Sequence, residues 1–216
     1  MLLRRTRLVT LIIAAFLLTG AAFADSTVSM AFIGPGGNNG GGVYTYPYNF
    51  SINGGASTSL ICDAFDNEVV AGETWTANES SLLGGNGLWG SQLTNYKEAG
   101  LIFQGILSGN IDATAGNWAI WGLFSSNAQS NSFFASSGAA AIDAQYLNAA
   151  MTDPDSAFNG FVLYTPVSWS GGEPQEYIGY NPSYSAPEPG SLLLCGMAFA
   201  TIGAGLFGKF RRPLAN

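Results

Sequence analysis

The sequence predicts an α+β domain in which β-strands flank a central block of about three helices, with an N-terminal signal peptide and a single C-terminal transmembrane helix. Three observations predict it: alternating aromatic text before residue 66, apolar residues recurring every three to four positions between 92 and 151, and an apolar run flanked by arginines at each end. The boundaries that follow are 1–24 for the signal peptide, 25–183 for an extracellular domain, and 184–213 for a tail containing an apolar helix over 192–207.

At the N-terminus Arg4, Arg5 and Arg7 precede an eleven-residue apolar stretch, Leu8 to Leu18, and then Ala22-Phe23-Ala24. A basic start, a short apolar run and a small-x-small tripeptide form the pattern read by signal peptidase, so cleavage after Ala24, with Ala22 as the other small position, leaves Asp25 first. A helix of that length spans about 16 Å against a hydrocarbon core of roughly 30 Å, which disfavours a permanent anchor.

The mature chain opens with a strand-like segment, Thr27 to Ile33, and a Gly/Asn loop from Gly34 to Gly42 that reads as a flexible connection. Tyr44, Tyr46, Tyr48, Phe50 and Ile52 alternate strictly and predict a strand with one aromatic face, which Pro47 would confine to a sheet edge. Asn53-Gly54-Gly55 supplies a hairpin turn, and Ser57 to Phe65 a second strand with Leu60, Cys62 and Ala64 on one face. The period then changes. Leu93, Tyr96, Phe103 and Ile106 or Leu107 describe a helix over about 92–107 that Gly109 ends; Asp112 caps a second through Trp118, Ile120, Trp121 and Phe124; Ala139 to Met151 forms a third, with Ile142, Tyr146, Leu147 and Ala150 on one side. Beyond Asp153-Pro154-Asp155, strand-like text returns in Phe158 to Trp169 and Glu176 to Tyr180.

At the C-terminus Pro187-Glu188-Pro189 precedes an apolar run from Leu192 to Phe207, closed by Lys209, Arg211 and Arg212. Basic residues after the run place its end in the cytoplasm, and the two prolines hold the tripeptide extended just outside the membrane, where a protease can read it. The order of tripeptide, glycine-containing apolar helix and arginine cluster resembles the PEP-CTERM sorting signal. The resemblance implies processing by exosortase, a membrane transpeptidase of bacteria that make extracellular polysaccharide, and passage through an inner-membrane intermediate to the cell surface or extracellular matrix.

From Asp25 to Ala186 there are thirteen Asp and Glu against Lys97 alone, a net charge of −12. That balance excludes a polyanion-binding role, and nucleic acid is not expected as a partner. Histidine is absent, which removes His-based triads and His metal ligands together. No cofactor or metal is expected. Asp63, Asp66 and Glu68, and separately Asp153 and Asp155, lack the spacing of a calcium loop, and Gly84-Gly85-Asn86-Gly87 lacks the Lys-Ser/Thr ending of a phosphate loop.

Cys195 falls in the tail, so Cys62 is the only thiol of the exported domain and an internal disulfide is ruled out. One account of it is a small buried hydrophobe on a strand. Another comes from its surroundings: Ile61-Cys62-Asp63-Ala64-Phe65, Tyr96-Lys97-Glu98-Ala99-Gly100-Leu101-Ile102-Phe103, Asn117-Trp118-Ala119-Ile120-Trp121 and Ala144-Gln145-Tyr146-Leu147, in this order, resemble bacterial thioester domains. The resemblance implies a thioester-domain-like fold and a bond between Cys62 and the residue preceding the Ala-Ile-Trp helix. The family pattern has Gln there, whereas this chain has Asn117, one methylene shorter.

The leading expectation is therefore a non-enzymatic surface or matrix protein, sorted through its tail and serving adhesion or polysaccharide association, with signal peptidase and exosortase as processing partners. Its alternatives are a covalent adhesin using a Cys62–Asn117 thioester-like bond and a secreted hydrolase using Asp63 and Asp66 as an acid and base pair.

Overall fold

Buried Val28, Met30 and Phe32 alternate with the outward side chains of Ser29 and Ile33, and this two-residue period builds β1 (Ser26–Pro35). The same logic gives β4 (Tyr48–Ile52), with Tyr48 and Phe50 inward, and β6 (Thr74–Ser81), with Trp75 and Ala77 inward. The computed structural model describes residues 26–168 and 174–184, all within the unit Asp25–Ser185.

Six strands close into an antiparallel barrel in the order β1, β4, β5 (Ser57–Cys62), β8 (Tyr177–Tyr180), β7 (Phe161–Ser168) and β6, which returns to β1. Register is fixed by pairs such as Phe32 with Phe50, Cys62 with Tyr177, Glu79 with Tyr164 and Val28 with Ala77. Aromatic rings cluster at the core: Phe50 meets Phe32, Trp75 and Tyr177 with centroids 5.1, 5.6 and 4.5 Å apart, and Tyr48 meets Tyr177 at 5.5 Å. A separate two-stranded ribbon, β2 (Asn39–Gly40) with β3 (Val43–Tyr44), lies in the loop after β1.

Between β6 and β7 the chain inserts α1 (Leu93–Leu107), α2 (Ala113–Phe124), α3 (Ser126–Ser130), α4 (Ser132–Ser137), α5 (Ala139–Thr152) and a 3-10 turn (Asp155–Phe158). Phe161 to Pro166 of β7 are consecutively buried, Phe161 meeting Phe103 of α1, which marks a strand covered on both faces.

This corrects the expected class. The strands before and after the helices do not flank a helical block; they belong to one closed sheet from which the helices extend as an insertion. The strand that completes the closure, β6, was illegible because Thr74-Trp75-Thr76-Ala77-Asn78-Glu79-Ser80-Ser81 offers few apolar residues to a periodicity reading. Nor is the aromatic strand an edge: β4 pairs with β1 and β5, and Pro47 lies just ahead of it, in a cis peptide after Tyr46. Three helices fall close to the expected bounds, with Asp112 accepting from Thr114 N and Ala115 N as the predicted cap, while α3 and α4 are additional. Among the described residues no helix is long and apolar enough to cross a membrane. The expected span over 192–207, the signal segment with Ala22 and Ala24, Pro187-Glu188-Pro189, and Lys209, Arg211 and Arg212 all lie outside the described residues.

Candidate functional site

Cys62 is the last residue of β5 and Asn117 sits in the second turn of α2, fifty-five positions later; the fold brings them together with both side chains fully buried. Asn117 Nδ2 donates to the Cys62 carbonyl at 2.9 Å, and its Oδ1 accepts from Tyr46 N at 2.8 Å, so one amide ties β5 to the segment entering β4. One helical turn on, Trp121 Nε1 donates to Cys62 Sγ at 3.4 Å, and the thiol in turn reaches the Ala64 carbonyl at 3.6 Å. Burial pushes the Cys62 thiol well above its usual range, so it stays protonated at neutral pH.

The glycine loop ahead of β4 is part of this site. Trp118 Nε1 donates to the Gly40 carbonyl at 3.2 Å, and a Cβ at Gly41 would stand 2.7 Å from the Trp118 ring, which only a glycine avoids. The segment read as a flexible connection is thus pressed flat against α2.

Beside Cys62 lies a second buried group. Glu176, just before β8, accepts from Tyr96 of α1 at 2.7 Å through Oε1, and from Leu88 N at 3.0 Å and the Thr165 hydroxyl of β7 through Oε2. Asp63 is equally buried; no hydroxyl or amide hydrogen reaches either of its oxygens among the described residues, and the group that bears on it is the Glu176 carboxyl. Burial followed by the Glu176 charge raises Asp63 far above the ordinary carboxyl range, while the hydrogen bonds to Glu176 partly offset its own burial. Burial and the Glu176 charge thus favour the protonated form of Asp63, beside a Glu176 carboxyl that Tyr96, Leu88 N and Thr165 hold in place.

The expected Asp63 and Asp66 pair is not assembled. Asp66 is exposed and accepts from Ser125 Oγ and Asn127 Nδ2, each at 2.7 Å, at the start of α3. No group of three or more His, Cys, Asp or Glu able to hold a metal occurs among the described residues. Lys97 pairs with Asp155 at 2.6 Å and lies over the Phe158 ring. Sequence reasoning named Cys62 and Asn117 but missed Tyr46, Thr165 and Glu176. The available signal for Glu176 was a carboxylate directly ahead of an apolar strand in a domain whose only lysine was elsewhere.

No family model, curated protein or solved structure matches this chain.

Proposed function

We propose that the chain is an exported, non-enzymatic surface or matrix protein, sorted through Pro187-Glu188-Pro189, whose barrel domain serves adhesion or association with extracellular polysaccharide. The terminal sequences supply the address. The observation that carries the role of the domain is the use of its reactive groups as internal ties: the Asn117 amide joins Tyr46 to Cys62, and the Cys62 thiol is held between Trp121 and Ala64. Replacing Pro187, Glu188 and Pro189 together by alanine is expected to retain the protein in the membrane fraction, whereas the unaltered chain partitions to the surface or matrix; identical partitioning of the two would remove the sorting reading.

The juxtaposition of Cys62 and Asn117 favours a second reading, the covalent adhesin. In that chemistry Sγ bonds to Asn117 Cγ, the C–N bond breaks, and the thiol proton leaves with the amide nitrogen as ammonia; a nucleophile on a partner then takes the acyl group and frees the thiol. Intact mass separates the two readings. The non-reactive domain shows the full mass and a titratable thiol after denaturation, while the bonded form is lighter by one ammonia and gains methylamine, with neither change in Cys62→Ala.

A further inference from the structure

Helix α5 packs on α1 and α2 with few wholly buried side chains of its own. Only Ala139 and Ala150 of its fourteen residues are buried, Ile142 and Tyr146 are half-buried, and its start is Gly138 at φ 86°, a residue with no side chain to cap it, where Ser137 Oγ accepts from Ala139 N at 3.4 Å. Its end is Asp153, extended, followed by Pro154. On its inner side stands Asp143, whose Oδ1 is sealed from solvent with no hydrogen-bond partner, and whose Oδ2 would lie 3.4 Å from a Cβ placed on Gly122 of α2. Glu98 of α1, 2% exposed, likewise carries a sealed, unpartnered Oε1, and its charge bears on Asp143. Two acids thus meet at a helix junction with no donor to satisfy these oxygens.

Among the described residues nothing cationic compensates them. Lys97, beside Glu98 in the chain, is engaged by Asp155 of the 3-10 turn, and Tyr96 by Glu176. The segments α2, α3 and α4 contain no titratable side chain; Asp112 caps α2, Asp66 is held at α3, and α5 itself adds only Tyr146, with Asp153 at its C-cap.

We propose that α5 is a pH-responsive flap: a neutral Glu98–Asp143 pair seats it on α1 and α2, and loss of those protons lifts it about Gly138 and Asp153-Pro154. Two ionised carboxylates at this junction would each hold one oxygen away from water with no counter-charge among the described residues, and the relief is to move α5, which carries Asp143 and buries only two alanines of its own. Burial pushes Glu98 up from 4.5 to about 7, and burial with the Glu98 charge pushes Asp143 up from 3.8 to about 7. Seated α5 holds protons that a released α5 has given up, so the seating is strongest below about pH 4 and is lost as pH rises through 7.

The test uses the full-length chain and chymotrypsin, which cuts after Tyr146 and Leu147 of α5. The rate at those two bonds is compared for wild type and Asp143→Asn at pH 6 and at pH 8.5, each normalised to an unstructured peptide. The ratio of wild type to variant is expected to rise roughly tenfold or more between the two conditions, the equivalent of at least one unit of pKa displacement expressed locally. Because Asp143→Asn could disturb packing, Glu98→Gln is run in parallel, and the carboxyl carbons of Glu98 and Asp143 are titrated by NMR in wild type. Midpoints near 7 support the flap; midpoints between 4 and 5, or a ratio that does not change with pH, overturn it.

Discussion

The Asp63 and Glu176 cluster beside Cys62 and the Glu98–Asp143 pair at helix α5 both bury acids with no cation beside them among the described residues, yet they are satisfied differently. At the first, Glu176 collects Tyr96, Thr165 and Leu88 N, so α1, β7 and the loop before α1 converge on one carboxylate. At α5 the pair Glu98 and Asp143 has sealed oxygens that find no donor. The difference teaches that a buried carboxylate is tolerable where several elements supply donors to it, and becomes a point of release where two helices meet over acids that have none.

The largest effect that tests this contrast belongs to the barrel interior. Phe50 is fully buried among Phe32, Trp75 and Tyr177, so Phe50→Ala should cost about 3–5 kcal/mol in unfolding free energy measured by denaturant titration. A loss below about 1 kcal/mol would mean that the rings do not form the rigid centre against which α5 is being compared.

A smaller and pH-dependent effect belongs to Asp63. Its folded-state proton affinity is raised, so the native state binds a proton that the unfolded chain releases above about pH 4, and the stabilisation from this group is lost as pH rises. Asp63→Asn has no proton to lose in this range. Its unfolding free energy should therefore fall less steeply than that of wild type from pH 4 upward; parallel curves would place the bound proton elsewhere.

How much of this was legible follows from what each element has to show. The helices α1, α2 and α5 were readable because their apolar residues recur at helical spacing and Asp112 announces a cap. Barrel closure was not, since it depends on β6, where Thr, Asn and Glu alternate with only Trp75 and Ala77 as apolar markers, and on pairings between strands far apart in the chain, although β7 falls within the strand expected over Phe158 to Trp169. Cys62 and Asn117 were found through a motif, but the motif is silent about Tyr46 and Trp121, which decide how the amide and thiol are used. Asp63 was grouped with Asp66 by proximity in sequence. Its true neighbour, Glu176, lies 113 residues away in numbering and arrives only because β8 pairs with β5.

The smallest expected effect bears most directly on α5. Leu147 is 46% exposed on the outer face of that helix, next to solvent rather than to α1 or α2. Leu147→Ser should change stability by no more than about 0.5 kcal/mol, as for other surface positions away from caps and networks, and, although it removes the cut after residue 147, should leave the pH dependence of cleavage after Tyr146 untouched. A loss several times larger, and one that grows with protein concentration, would show instead that the outer face of α5 is covered in solution by a second copy. The helix would then be held from outside, and the acids beneath it would have no free element to move.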